Sequence, residues 1–261
     1  MFLECYREMP LWLLGFLASL AAGLMSGVGA LPILFFKDIS HRTQDVMMGF
    51  GAGVMLAATS FSLIVPAIDA AGGGTTAALI VVASMALGGL FLWFSDRLLP
   101  HEHFIMGPEG SDPKRLRRIW LFVIAITLHN FPEGLAVGVG FGGGDVRNGL
   151  SLALGIGLQN MPEGLVVALA LLTERYSAKQ AIALATLTGL VEPVGGIIGA
   201  GIVSIAQPLL PWGLAFAAGA MLFVVSDEII PESHRGEHAR FATVGLMVGF
   251  LVMMFLDVAL G

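Results

Sequence analysis

The sequence predicts an all-α polytopic membrane protein with eight transmembrane helices. Three observations carry this. Of 261 residues, 56% are hydrophobic and 12% are charged, about half the charged share of an ordinary soluble domain. The apolar residues gather into eight runs long enough to cross a hydrocarbon core about 30 Å thick. The 13 Lys and Arg divide unequally between alternate loops. One domain, residues 1–261, is the natural organisation for so short and evenly apolar a chain. The net charge of −6 comes without a basic tract, which argues against a nucleic-acid partner and leaves membrane lipid as the surroundings. Cys5 is the one cysteine, so there is no disulfide framework from which to read a redox compartment.

The apolar segments run over 10–36, 46–70, 76–99, 119–143, 148–173, 179–205, 208–231 and 241–260. The first has no positively charged region ahead of it, so it reads as a retained helix and not as a cleaved signal. The breaks carry turn and charge signals: Lys37 to Asp45, Gly72-Gly73-Gly74, the charged loop 101–118, Gly142 to Asn148, Glu174 to Lys179, Gln207 to Pro211, and Glu232 to Arg240. An alternative count splits 208–231, whose end holds Asp227, Glu228 and Glu232. With eight spans, Arg7 and Arg147 lie on one side and the other eleven basic residues on the opposite side. Lys and Arg concentrate in cytoplasmic loops. Both termini are therefore expected outside, and the loop 101–118 in the cytoplasm.

Two hexads stand out: His129-Asn130-Phe131-Pro132-Glu133-Gly134, and 30 residues later Gln159-Asn160-Met161-Pro162-Glu163-Gly164. On a helix, positions four apart share a face, which pairs His129 with Glu133 and Gln159 with Glu163. A proline inside a helix frees the carbonyl four residues back, here those of Leu128 and Leu158. Such carbonyls are tolerated at membrane depth where they face protein or a wet cavity. His129 lies ten residues into its segment and Gln159 eleven into its own. At 1.5 Å per residue, both sit roughly 15–17 Å deep, near mid-membrane. Glu192, also followed by a proline, reaches a similar depth in the sixth segment. Ionisable groups there are costly and mark function by default. Imidazole, carboxylates and amide oxygens together suit a divalent cation. The alternative is two Pro-kinked helices with satisfied polar side chains, which leaves the duplication unexplained.

Weaker signals lie elsewhere. Asp227, Glu228, Glu232, His234 and His238 cluster at the cytoplasmic end of the seventh segment, as a metal exit or an ordinary solvated helix end. His101-Glu102-His103 is either a metal-gathering tract or a polar loop. Asp257 and Ser62, near the outer face, are candidate entrance residues. Met55 offers a soft sulfur, though with 13 Met in the chain core or lipid packing is the commoner role. Gly49, Gly51, Ala52 and Gly53, and Gly195, Gly196, Gly199 and Gly201, suit close helix packing.

The doubled hexad, Glu192 and Glu228-xx-Pro231-Glu232 resemble the ZIP (Zrt/Irt-like) metal-ion transporters, in particular their bacterial GufA-like branch. The resemblance spans essentially the whole chain. It implies eight helices in a 3+2+3 inverted-repeat arrangement and a binuclear site for one or two ions between segments four and five. It implies zinc moved into the cytoplasm across a bacterial inner membrane, with cadmium, iron or manganese as variants. A homodimer is implied too, with an elevator-like motion of helices one, four, five and six against the rest. His129, Asn130, Glu133, Asn160, Glu163 and Glu192 match the family's ligand positions, and Met55 matches one within the branch. Gln159 is the departure, since many members have His there. An amide oxygen is a harder and weaker ligand than imidazole, which bears on zinc preference and on a second ion.

Two other functions compete. An intramembrane metal-dependent hydrolase needs ligands, an activated water and a base. The prolines inside each ligand pair, and the missing HExxH pattern, count against it. A metal-sensing receptor needs a soluble output domain that loops of this length do not supply. The reading is therefore a transporter and not an enzyme.

Overall fold

The structure, a computed structural model, describes residues 9–36, 39–98, 115–173 and 175–260, with 102–103 and 107–108 as a two-residue antiparallel ladder. Cys5, Arg7, Lys37, His101, Gly110 and Lys114 lie outside the described residues. Eight helical rods follow one another: α1 (Leu11–Leu34), α2 (His41–Ala70), α3 (Gly74–Leu98), α4 (Arg115–Gly142), α5 (Val146–Thr173), α6 (Ala178–Ile205), α7 (Gln207–Ser233) and α8 (Ala239–Leu260). Among the described residues seven of them, all but α4, qualify as membrane-crossing on length and composition together. At 28 residues, α4 is itself about 42 Å long at 1.5 Å per residue. The segment 208–231 is one rod, so the split count is not what the chain adopts.

Local chemistry sets the ends. Ser40 Oγ accepts a hydrogen bond from Thr43 N and caps α2, so the helix starts at His41, a turn before the apolar run. Ser177 and Gln180 form a reciprocal capping box at α6. Such caps satisfy amide groups that have no partner inside the helix. The rods are not uniform. The segments Ala58–Ile64 of α2 and Val225–Ile229 of α7 are π-helical, and Pro66 and Pro231 follow them closely. Pro132 and Pro162 sit inside continuous α-helix. The break comes instead in α6, between Gly189 and Glu192.

Lipid tails are as apolar as leucine, so membrane helices associate mainly by close packing of small residues. The glycines show which rods are joined backbone to backbone. A Cβ added to Gly29 or Gly164 would fall on the main chain of Met161 or Ser26, joining α1 to α5. Gly134 and Gly138 meet Glu192 and Gly196 in the same way, joining α4 to α6, and Gly23 meets Gly189 across α1 and α6. A second set joins α2 to α8 through Gly49, Gly53 and Gly249, and a third joins α3 to α7 through Gly88 and Gly219. Between these sets the approach is looser. Gly155 of α5 faces the side chains of Met253 and Val54, and Gly51 of α2 meets Gln159 at 3.8 Å. The rods thus fall into one body of α1, α4, α5 and α6, and two pairs beside it.

This packing gives a test. Gly164→Ala adds a methyl where backbone already lies, and overpacking costs about 1–3 kcal/mol. Gly201→Ala points into open space and should be neutral within about 0.5 kcal/mol or gain helix propensity. Thermal unfolding of both variants in one detergent should show a clear drop for the first alone.

Candidate metal site

The site is built at the centre of three rods. His129 lies near the middle of α4, Gln159 near the middle of α5, and Glu192 opens the second half of α6 just after its break. His129, Asn130, Glu133, Gln159, Asn160 and Glu192 are all buried, and Glu163 is half-buried. The carboxylates of Glu133, Glu163 and Glu192 lie within electrostatic range of one another, with Gln159 beside Glu133 and His129 beside Glu163. The two hexads and the α6 glutamate therefore converge, as their spacing predicts. Met55 is buried in α2, four residues beyond Gly51, which packs on Gln159. Positions four apart share a face, so Met55 continues the wall that meets α5.

Hydrogen bonds account for only part of this polarity. Gln159 Nε2 donates to Asn160 Oδ1 at 2.8 Å. Asn160 Nδ2 donates to Ala22 O of α1 at 2.9 Å and to Glu192 Oε1 at 2.7 Å. Left buried with no well-formed hydrogen bond are Asn130 Oδ1, both Glu133 oxygens, Gln159 Oε1 and Glu192 Oε2. Buried oxygens without partners are rare, and each one calls for a reason. Carboxylate and amide oxygens beside an imidazole form a donor set for a divalent cation. Among the described residues, no three His, Cys, Asp or Glu side chains already stand close enough to hold an ion. The amides Asn130 and Gln159 supply oxygens that such a set of residue types leaves out.

Glu228 is the member of the helix-end cluster that turns towards the candidate site. Its carboxylate reaches His129, with Oε1 at 3.1 Å from Nε2, so it borders the candidate site. Its π-helical segment explains this: hydropathy sees only where α7 ends, whereas a π turn re-aims side chains. Most of the rest of that cluster has other partners. His234 is held by Ile230 O and Ser233 at one ring nitrogen and by Thr243 at the other, which ties α7 to α8. Asp227 is exposed, and His238 stacks edge-on near Phe241. Glu232 stays near Glu228, beside Arg235 and Asp45. Towards the end of the rods opposite the α7–α8 turn, Asp257 accepts hydrogen bonds from Ser62 at 2.5 Å and from Ser151 at 3.4 Å. The two candidate entrance residues are thus partners. Ser151, buried in α5, joins them and had no distinguishing pattern in the sequence.

Comparison with known proteins agrees with this geometry. The ZIP zinc transporter family model matches residues 106–257. The chain is 52% identical to zinc transporter GufA of Myxococcus xanthus over 251 residues, covering 95% of this chain and 99% of that protein. It is 49% identical to zinc transporter ZIPB of Bordetella bronchiseptica over 246 residues, covering 92% of this chain and 80% of that one. It is 34% identical to the human zinc transporter ZIP11 over 322 aligned positions, covering 91% of this chain and 94% of that protein. A doubled hexad buried at the centre of eight rods, and matches of this extent to three named zinc transporters, lead to one conclusion: the chain belongs to the ZIP zinc transporter family.

Proposed function

We propose that the chain imports divalent metal ions, zinc first and cadmium second, across a bacterial inner membrane through the site formed by α4, α5 and α6. One observation carries this reading: acceptor oxygens of Asn130, Glu133, Gln159 and Glu192 are buried at mid-rod with no well-formed hydrogen bond. An ion satisfies them together, and its charge offsets the repulsion of the clustered carboxylates. His129, Asn130, Glu133, Gln159, Glu163 and Glu192 are the ligand candidates, with Met55 as an auxiliary one. Ser62, Ser151 and Asp257 suit the outer entrance, and Glu228 followed by Glu232 suits inward release. The relatives' names as zinc transporters support the choice of cargo.

The glycine-joined body of α1, α4, α5 and α6 supports an elevator-like motion. It contains every ligand candidate except Met55, and it meets the other rods through side chains that can slide. The π segments of α2 and α7, each close before a proline, support a 3+2+3 inverted repeat, in which those two rods hold corresponding places. One transport domain, assembled as a homodimer with both termini outside, completes the reading. Radiozinc uptake by sealed proteoliposomes is the direct test. Saturable, protein-dependent accumulation is expected, and its absence with folded protein would sink the proposal.

Three measurements refine it. Glu163→Ala removes a charged ligand and should lower zinc uptake at least tenfold, while Met55→Ala, which removes a neutral one, should lower it by only a few-fold. Equal losses at equal folded protein contradict these roles.

For orientation, Gly144 is a poor probe site because its φ of +86° disfavours any side chain. Cysteines at exposed Arg147 and Glu237 serve better, in a Cys5→Ser background. Labelling of the first only from outside and of the second only from the cytoplasm is expected from the basic-residue asymmetry. The reverse pattern overturns the topology.

Gln159→His should keep transport and shift preference towards zinc. One ring nitrogen can take over the donation to Asn160 Oδ1, and the other then faces the site. The apparent KM for zinc should fall on the order of tenfold, worth about 1.4 kcal/mol, with the maximal rate unchanged or lower, because tight binding slows release. Competition uptake with zinc, cadmium and manganese that leaves the metal ranking unaltered removes Gln159 from the site.

A further inference from the structure

We propose that the Thr59 hydroxyl of α2 is a way-station for the ion, set between the Ser62–Asp257 end of the rods and the central site. This rests on the transport reading above and adds a residue to its path. Thr59 is 2% exposed, and its Oγ1 has no hydrogen-bond partner. It is the one such hydroxyl among the described residues. Hydroxyls inside a helix commonly bond the carbonyl four residues back. Ser19, Ser60, Thr127 and Thr186 do so here, at 2.6, 2.9, 2.7 and 2.8 Å. Thr59 does not. The carbonyl of Met55 accepts instead from Ala58 N, where α-helix passes into π-helix. A buried hydroxyl left unpaired is costly, so its presence calls for a reason.

Its position supplies one. Gly51 packs on Gln159 of the site, and Met55 and Thr59 follow on the same face at four-residue steps. At 1.5 Å per residue, Thr59 lies about 12 Å from the level of Gln159 and about 4 Å short of Ser62. Ser62 is bonded to Asp257, so Thr59 stands between that pair and the site. The neighbouring rods offer no side-chain oxygen over this interval. There is none in 134–142 of α4, 152–158 of α5, 208–225 of α7 or 249–256 of α8. Between Gly51 and Ser62 on α2 itself the other one is Ser60, which is committed to the Leu56 carbonyl.

A divalent ion that crosses so apolar an interval without an oxygen meets a steep desolvation cost. The Thr59 oxygen can replace one of the waters that the ion sheds. A neutral hydroxyl also holds the ion weakly enough to release it, which passage demands. α2 lies outside the body that carries the central ligands, so Thr59 hands the ion over and does not travel with it.

Thr59→Val keeps the shape and removes the hydroxyl. Because nothing pairs with that hydroxyl, thermal unfolding in detergent should stay at the wild-type temperature or rise. Zinc retained in equilibrium dialysis against radiozinc should be unchanged, since the central ligands are intact. Maximal radiozinc uptake by proteoliposomes should fall about tenfold, the order expected for losing one contact to a charged group. Thr59→Ser, which keeps the oxygen, should keep most of the uptake. Wild-type uptake in Thr59→Val overturns the proposal and leaves the metal-site reading intact. So does an uptake loss in Thr59→Ser as large as that in Thr59→Val. A lowered unfolding temperature together with lost uptake assigns the hydroxyl to the fold, and weaker zinc retention assigns it to the central site; either result overturns the way-station. No uptake by folded wild-type protein sinks the transport reading, and this proposal with it.

Discussion

Burying three carboxylates at the centre of a membrane-spanning bundle is the constraint on which the rest of this structure depends. Charge at that depth is tolerated only inside the bundle, away from lipid and facing other polar groups. Glu133 and Glu192 are 1% and 0% exposed, so the rods that carry them must seal against each other with no gap. That demand explains the main-chain contact of Gly134 with Glu192 itself, and of Gly23 with Gly189, the last helical residue before the break in α6. A larger residue at either position would prise the rods apart where a charged side chain lies behind them. The break matters for the same reason. It lets Glu192 begin a new helix beside its partners, followed at once by Pro193, which suits a first turn.

The grouping of rods follows from where backbone meets backbone. Helices joined through glycine have little room to rotate or slide without collision, because interiors are packed like crystals and not like oil. Leucine, valine and methionine side chains at a seam can exchange rotamers as surfaces move. The seams between the α1–α4–α5–α6 body and its neighbours are mostly of the second kind. They are also crossed by polar ties: His129 with Glu228, Ser151 with Asp257, and Gln207 with the Gly142 carbonyl. Only the Gln207 tie is a neutral hydrogen bond, worth about 1 kcal/mol, and the Ser151–Asp257 bond is long at 3.4 Å. They are enough to favour one arrangement without freezing it.

Much of this was legible in the sequence, and the parts that were not have physical reasons. Apolar length located all eight rods. The largest difference at a boundary, α2 beginning at His41 instead of 46, comes from a serine cap, which hydropathy does not register. The hexads gave the site because helical spacing, depth and side-chain chemistry agreed there. Glu133, Glu163 and Glu192 lie within electrostatic range of one another. For Glu228 the sequence left a metal exit and a solvated helix end both open, because its reach to His129 comes from within a π segment. Nothing in Val225-Ser226-Asp227-Glu228-Ile229 distinguishes that segment from an ordinary α-helix. Ser151 and Ala22 were invisible for another reason. One is a common small residue, and the other contributes only its carbonyl, which no side-chain pattern reports.

The π segments have one more consequence. A π turn amounts to a single residue inserted into an α-helix. Removing one residue from Val225–Ile229 would let α7 close up as regular α-helix, with all but one of its side chains still present. Everything on one side of the deletion would then turn by about 100° relative to the other, the angle between successive residues of an α-helix. Glu228 could not keep its contact with His129 and also preserve the packing of Gly219 on Met85 two turns earlier. In α2 and α7 the number of residues is therefore as much a part of the site as their identity.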